Sequence, residues 1–210
     1  AQKYGATISQ PPDWPGFGLQ KNRALDLATG EWVLSLDADE RLTPALKSEI
    51  LTAIHHSAHV DCFAIPRLSW YCGRFIRHSG WSPDYVDRLF KRGTARFSDD
   101  LVHERLIPNG QVAKLNNPML HYSFMNFSQV LNKIDRYSTA SALQAYARGK
   151  RSNPCKAILH GLWAFFRTYI LKAGFLDGKH GLALAISNGE GSYYRYMKIW
   201  LLELEARNED

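Results

Sequence analysis

The sequence lacks the features that mark secreted, membrane-spanning and repetitive proteins. Its three cysteines are scattered and odd in number, so neither a disulfide framework nor a paired-cysteine metal site is indicated, and a reducing cytosolic compartment is the simplest expectation. The longest apolar stretch, 157–171, is interrupted by His160 and Arg167 and falls short of the ~20 apolar residues that a bilayer span needs. No internal repeat and no low-complexity tract is present, which argues against a repeat architecture.

Length and charge narrow the remaining classes. The chain of 210 residues is long enough for one domain with a sizeable core and an appendage. The formal net charge is +6, with the basic excess in the middle and the C-terminal third of the chain. This balance favours anionic partners, which include nucleotides, phospholipid surfaces and nucleic acid.

An acidic segment follows a short apolar run within 31–40. Residues 33–36 are β-prone and almost wholly apolar, which is typical of a strand covered on both faces. Because side chains alternate in an extended chain, Asp37 and Asp39 are predicted to point to the same side, at the strand end where open α/β sheets bind ligands. Such oxygen ligands suit Mg²⁺ or Mn²⁺ carrying a phosphate-bearing substrate. The alternative is a polar loop whose acids cap the next helix.

A helix predicted over 19–28 precedes this segment. Gln20, Lys21 and Asn22 fall in its predicted first turn, where free N–H groups and the positive end of the helix dipole favour a phosphate. The alternative is a solvated first turn. A second helix is predicted after Thr43 as N-cap and Pro44 in its first turn.

The middle of the chain is predicted to be mainly strands. A short strand is expected at 6–9, and alternating runs predict strands at 62–68, 85–91, 102–107, 111–115 and 119–122. A turn at 108–110 would join the runs on either side of it into a hairpin. Asp100 and Glu104 add carboxylates near the start of the 102–107 run, and each is equally explained as an ordinary charged residue.

The C-terminal third is predicted to be helical. Asn126 caps a helix over 127–147, and a basic linker at 148–154 follows. Residues 154–171 combine aromatic, apolar and basic side chains, which is the composition of a helix lying in a membrane interface. The alternative is a helix packed on the main domain with a basic outer face. A loop at 177–181 and a last helix over 192–207 complete the prediction.

Two segments resemble a known enzyme family. The run at 16–25 (GFGLQKNRAL), followed by 30–40 (GEWVLSLDADE), resembles family 2 glycosyltransferases with the GT-A fold. The runs at 102–104 (VHE), 121–122 (HY) and 169–178 (YILKAGFLDG) resemble the branch that includes lipopolysaccharide inner-core β-1,4-glucosyltransferases of Gram-negative bacteria. The resemblance covers nearly the whole chain.

The resemblance implies an α/β fold with a Rossmann-like GT-A sheet at 1–125 and a C-terminal helical extension at 126–210. It implies metal-dependent, inverting transfer of a sugar, with UDP-glucose as the expected donor, to a heptose of the lipopolysaccharide core. The enzyme would lie on the cytoplasmic face of the inner membrane, with its basic C-terminal third on anionic lipid.

The resemblance also implies roles for individual residues. Asp37 and Asp39 would bind the donor diphosphate through Mg²⁺ or Mn²⁺, and His121 would be an additional metal ligand. Gln20 and Lys21 would lie near the nucleotide. Glu104 would be the catalytic base, with Asp100 as the second choice, because an inverting transfer needs one group to take the acceptor hydroxyl proton.

One departure from the family pattern concerns the start of the sequence. Family members begin with a strand–helix–strand unit that grips uracil and ribose, and this chain is expected to open where that unit ends. The resemblance therefore implies an N-terminally incomplete domain. We expect the 210-residue chain by itself to bind UDP poorly and to transfer sugar slowly or not at all, which calorimetric titration with UDP and Mn²⁺ tests.

Two other classes of function are alternatives to the glycosyltransferase. One is a catalytically inactive module that binds carbohydrate or a membrane surface, and donor hydrolysis in the presence of metal separates it from the transferase. The other is a nucleic-acid binder, which rests on charge alone because no nucleic-acid-binding motif is recognised. We therefore expect no nucleic-acid partner.

Overall fold

A computed structural model of the chain describes residues 2–56, 59–99 and 104–208. The chain divides into two compact units. The first unit comprises Ala1–Pro66 and Tyr85–Met119, and the second comprises Arg67–Asp84 and Leu120–Asp210. The division into functional domains at 125/126 stays a prediction.

Helices and strands alternate in the first half of the chain, and helices fill the second. The helices are α1 (Phe17–Asp26), α2 (Pro44–His56), α3 (Phe127–Ala147), α4 (Pro154–Phe166) and α5 (Gly178–Asn208). The strands are β1 (Trp32–Leu34), β2 (Glu40–Leu42), β3 (Cys62–Tyr71), β4 (Arg74–Phe75), β5 (Asp84–Lys91), β6 (Ala95–Phe97), β7 (Leu106–Pro108), β8 (Val112–Lys114) and β9 (Met119–Phe124). No helix in the described ranges combines the length and the apolar character that crossing a membrane requires.

Mixed strand pairing builds the sheet of the first unit. Strands β1, β5 and β3 are adjacent in that order, and β1 runs antiparallel to β5 with Val33 opposite Phe90. The start of β3 pairs in parallel with β8, which places Phe63 opposite Ala113. The main apolar core lies between this sheet and α2, and includes Leu46, Ile50, Phe63, Ile65, Leu89, Leu115 and Met119. This burial of apolar surface is what fixes the strands from which the acidic turn projects.

Helix α2 begins as its sequence predicts. The hydroxyl of Thr43 accepts a hydrogen bond from the amide of Leu46 at 3.1 Å, and Pro44 is the first helical residue. Leu46 is fully buried and Ile50 nearly so, which confirms that one face of the helix packs into the core.

The second unit packs three helices around a short sheet and a loop. Helix α3 has the predicted bounds, and the Asn126 side chain accepts from the amide of Gln129 at 3.0 Å. The loop before β5 is held by Asp177, whose side chain is 1% exposed. Its carboxylate accepts hydrogen bonds from the amides of Arg77 and His78 and from the Ser79 hydroxyl, at 2.9–3.0 Å.

Three local predictions are wrong. Residues 6–9 form no strand. The hairpin across 108–110 does not form, because β7 pairs antiparallel with β6, and the Gln111 carbonyl accepts from the amides of Asp61 and Cys62 instead. The loop at 177–181 belongs mostly to α5, which starts at Gly178 rather than at 192. A Cβ on Gly181 would lie 1.8 Å from the Gly174 carbonyl oxygen, so this glycine serves close packing rather than a turn.

Candidate active site

The acidic segment closes into a tight turn at the end of β1. The strand ends at Leu34, and the amide of Glu40 donates to the carbonyl of Asp37 at 3.0 Å. The amide of Asp37 in turn donates to the Glu40 carboxylate at 2.9 Å. The extended conformation predicted over 37–39 is therefore wrong, and the alternation argument for the two aspartates does not apply. Asp37 is half-buried, and Asp39 is exposed.

A buried arginine joins the two ends of this turn. The Arg88 guanidinium, on β5, donates to Asp37 Oδ2 and to Glu40 Oε1, each at 2.6 Å. The Glu40 side chain is 0% exposed and that of Arg88 is 8% exposed, whereas that of Asp37 is 38% exposed. Charge-assisted bonds of this length are strong and directional, so Arg88 and Glu40 fix the Asp37 carboxylate in one orientation.

The same contacts keep Asp37 ionised. Burial by itself raises the pKa of the Asp37 carboxyl, but the charges of Arg88 and Lys21 outweigh it, and the pKa lies below its usual value. Burial similarly lowers the pKa of the Arg88 guanidinium, and the attraction of Glu40 and Asp37 reverses that shift. The site thus presents a permanently charged, partly solvated carboxylate at neutral pH.

Lys21 connects Asp37 to the predicted base. Its ammonium lies 3.0 Å from Asp37 Oδ1 and 3.0 Å from Glu104 Oε1. Helix α1 can approach this region because residue 18 is glycine: a Cβ there would lie 1.9 Å from the Ser98 carbonyl oxygen and 3.5 Å from Glu104 Cβ. Three of the site residues predicted from sequence, Lys21, Asp37 and Glu104, are therefore in contact through the Lys21 ammonium.

The start of α1 differs from its prediction by two residues. The helix begins at Phe17, and the amide of Gln20 already donates to the Gly16 carbonyl at 3.0 Å. Gln20 therefore offers no free amide to a phosphate. Its side-chain oxygen accepts from Arg23 at 3.3 Å. The cationic group of α1 that faces the acidic turn is the Lys21 ammonium.

Two predicted residues remain, His121 in the second unit and Asp100 outside the described ranges. His121 belongs to the second unit, where its Nδ1 is hydrogen-bonded to the Ser69 hydroxyl at 3.0 Å. Asp100 lies outside the described residues. Among the residues that are described, no cluster of three or more His, Cys, Asp or Glu side chains is placed to hold a metal ion. The assignment of Asp37, Asp39 and His121 as metal ligands stays a prediction.

The donor chemistry of the turn nevertheless suits a hard cation. Asp37 is ionised and more than a third exposed, and Asp39 next to it is exposed. Mg²⁺ keeps several waters and takes one or two protein carboxylates together with substrate phosphates, so two acidic side chains are a sufficient protein contribution.

The contacts of two residues in this region, Arg88 and Asn22, were not predicted from the sequence. Arg88 lies in β5, which was predicted from an alternation of apolar and polar residues. Nothing in that pattern indicates that Arg88 is the partner of Glu40. Asn22 is buried in α1, where it donates to the Phe97 carbonyl and accepts from the Phe97 amide, each at 2.9 Å. A polar residue in a helix position that faces the sheet was the available signal for Asn22.

The α/β fold, with an acidic turn following a strand of the sheet, defines the class predicted above, the glycosyltransferases of the GT-A fold. Residues 6–107 match the family model described as Glycosyl transferase family 2. An uncharacterized glycosyltransferase of Rickettsia typhi is 26% identical over 219 aligned residues, which cover 99% of this chain and 75% of that protein. The lipopolysaccharide core biosynthesis glycosyltransferase LpsC of Rhizobium meliloti is 27% identical over 197 residues, which cover 87% of this chain and 71% of LpsC.

Proposed function

We propose that this protein is an inverting glycosyltransferase that moves glucose from UDP-glucose to a heptose of the lipopolysaccharide core. The observation that carries the proposal is the placement of Lys21 between Asp37 and Glu104, with Asp37 oriented by Arg88. The resemblance of the sequence to inner-core glucosyltransferases, and the similarity to a relative named for lipopolysaccharide core biosynthesis, support the choice of donor and acceptor.

The acidic turn would provide the metal-binding half of the site. Asp37 and Asp39 would hold Mg²⁺ or Mn²⁺, which supplies Lewis-acid stabilisation of the departing diphosphate when bound. Arg88 and Glu40 do not touch the substrate in this scheme. They hold the Asp37 carboxylate in place, so that no reorganisation is needed when the donor arrives.

Lys21 would link donor binding to the readiness of the base. Its ammonium contacts both carboxylates, at 3.0 Å each. A diphosphate carries more negative charge than either carboxylate, so the ammonium would turn toward it when the donor binds. The Glu104 carboxylate would then be available to accept the proton of the acceptor hydroxyl as that hydroxyl attacks the anomeric carbon from the face opposite the diphosphate.

Variants of the full-length protein test this scheme. With UDP-glucose and Mn²⁺, we expect Asp39→Ala to abolish transfer with little change in folding, because Asp39 is exposed. Glu104→Gln should lower transfer by roughly 10²–10⁴-fold, since it removes the proton acceptor. Glu31→Gln is the matched control, because Glu31 is exposed and immediately precedes β1. Near-normal transfer with the metal chelated would show that the metal role is wrong.

We also propose that the protein docks on the cytoplasmic face of the inner membrane through α4. One stripe of this helix carries large apolar side chains that are 43–65% exposed: Ile158, Leu159, Leu162, Trp163 and Phe166. Exposed basic residues lie in the same segment, at Lys156, Arg167 and Lys172. An amphipathic helix with basic residues gains from both apolar insertion and attraction to anionic lipid, with ~1 kcal/mol per basic residue near the surface.

Liposome flotation tests the membrane proposal. We expect greater recovery with anionic than with neutral vesicles, and a loss of recovery in the variant Leu159→Ser/Leu162→Ser. The matched control is Leu131→Ser/Leu143→Ser on α3, which removes leucines that are 45% and 51% exposed. Equal recovery with both vesicle types, or an equal loss in the control variant, would contradict docking through α4.

A further inference from the structure

A cavity of about 430 Å³ that is open to solvent lies in the second unit. Its lining comes from α3, from α5, from aromatic residues at the ends of β3 and β9, and from Trp81 in the loop between β4 and β5. This volume is in the usual range for small-molecule sites, ~300–1,000 Å³. None of the residues that the proposed reaction assigns to metal, nucleotide or proton transfer lines it.

One wall of the cavity is aromatic and rigid. Tyr71, Trp81 and Phe124 contact one another with ring centroids 5.9–6.2 Å apart. Tyr71 is anchored further by a hydrogen bond of 2.9 Å between its hydroxyl and Ser187, a residue of α5. Val130 and Leu184 add aliphatic surface from the two helices. This wall suits an apolar chain or ring rather than a hydrated ligand.

The charged groups of the lining are cationic. They are Lys133 on α3 and Arg195 on α5, and no carboxylate is among the described residues that line the cavity. Within the described part of the chain, no hydrogen-bond acceptor reaches the buried Nε of Arg195. Because this nitrogen is buried out of reach of a molecule in the cavity, an anionic group there would be held by the positive charges of Lys133 and Arg195 rather than by a bond to Nε.

We propose that this cavity binds an anionic amphiphile, that is, a phosphate or carboxylate head group joined to a short alkyl chain. The head group would accept from Arg195 and lie near Lys133, and the chain would pack on the aromatic wall. The proposal is independent of the glycosyltransferase function, because it concerns neither the acidic turn nor the exposed face of α4.

Titration with soluble probes tests the proposal. The probes are octyl phosphate, octanoate, octyl glucoside and inorganic phosphate, each added to the full chain. The three amphiphiles are used below their critical micelle concentrations. We expect octyl phosphate or octanoate to bind in calorimetry and to change the tryptophan fluorescence. The fluorescence change should disappear in Trp81→Phe, because Trp81 is the tryptophan of the lining.

Three variants test the contacts. Arg195→Gln should weaken binding of the anionic probe by roughly ten- to a hundredfold, the usual effect of losing a hydrogen bond to a charged group. Lys133→Gln should weaken it at only a small cost to folding, because Lys133 is exposed although its ammonium lies over the rings of Phe124 and Tyr137, and Arg136→Gln on the same helix is its control. Gly191→Leu should block the cavity: a Cβ at Gly191 makes only an ordinary contact, 3.7 Å from Ile134, so the larger side chain extends into the open space.

Four results would overturn the proposal. They are no binding of either anionic probe, equal binding of octyl glucoside, equal binding of inorganic phosphate alone, and unchanged binding in Gly191→Leu. The second result would remove the role of the cations, and the third would remove the role of the aromatic wall. Transfer activity and vesicle flotation should be unchanged in Lys133→Gln, which separates this site from the proposed function.

Discussion

Replacing Arg88 by methionine would leave the buried Glu40 carboxylate without the cation that it contacts in the first unit. Glu40 is 0% exposed in its side chain and has Arg88 as its cationic partner at 2.6 Å. Removing one member of a buried ion pair typically costs ~3–5 kcal/mol, because the remaining charge is neither paired nor hydrated. Asp37 is 38% exposed, so water replaces Arg88 there at little cost. We therefore expect Arg88→Met to lower the free energy of unfolding by ~3–5 kcal/mol, almost all of it through Glu40.

A second substitution separates stability from function. In the double variant Arg88→Met/Glu40→Met, apolar side chains of similar volume replace the pair, and such exchanges are often neutral or stabilising. We expect the double variant to unfold within ~1–2 kcal/mol of the wild type, so the two single effects should be strongly non-additive. Transfer should nevertheless stay low, because both groups that orient the Asp37 carboxylate are gone.

Urea unfolding and hydrogen exchange at β1 and β5 measure these effects. Arg92→Met is the matched control, because Arg92 is exposed and its side chain donates to the Gly30 carbonyl at 3.0 Å. It should change stability by less than ~1 kcal/mol. Additive costs in the double variant would refute the pairing of Arg88 with Glu40. Full transfer activity in the double variant would refute the positioning of Asp37 by this pair.

Three further predictions concern other contacts and pH. Asn22→Ala should destabilise the first unit by ~2–4 kcal/mol in urea unfolding, because it leaves both backbone groups of Phe97 without their buried partner. Asp177→Ala should destabilise the second unit by a similar ~2–4 kcal/mol and speed amide exchange at Arg77 and His78, whereas no change in that exchange would contradict the anchoring role. The pKa of Asp37 is lowered in the folded state, so its contribution to stability is present above the usual carboxyl pKa of about 4 and is lost as pH falls through the folded pKa. The difference in urea midpoint between wild type and Asp37→Asn should therefore shrink as the pH falls below ~4, because a protonated Asp37 carries no more charge than the amide, and a constant difference would contradict it.

The features predicted correctly from sequence are those set by a few neighbouring residues. The start of α3 followed from Asn126 as its N-cap, and the start of α2 followed from Thr43 and Pro44. In each case the cap satisfies backbone amides within three residues, so the signal is complete in the local sequence. Tertiary contacts do not compete with it.

The wrong predictions concern segments whose partners are distant. The turn at 108–110 is compatible with a hairpin, but β6 offers β7 an antiparallel partner and β3 offers β8 a parallel one. The loop predicted at 177–181 is mostly helical, and the glycine at 181 allows α5 to pass close to the Gly174 carbonyl. The local pattern gives the propensity of each segment, and the choice among partners depends on contacts that the pattern does not contain.

The candidate site shows the same limit in its chemistry. Lys21 and Glu104 are 83 residues apart, and their types alone made them candidates for separate roles, one near the nucleotide and one as base. The structure adds that a single ammonium contacts Glu104 and Asp37 together, and that a glycine at 18 permits this approach. If the contact matters for catalysis, the two residues are not independent: in Lys21→Met, the Glu104 carboxylate loses its cation before any donor binds, and the Asp37 carboxylate keeps Arg88 alone. The effects of Lys21→Met and Glu104→Gln on transfer should then be less than additive, which is the signature of two groups acting in one step.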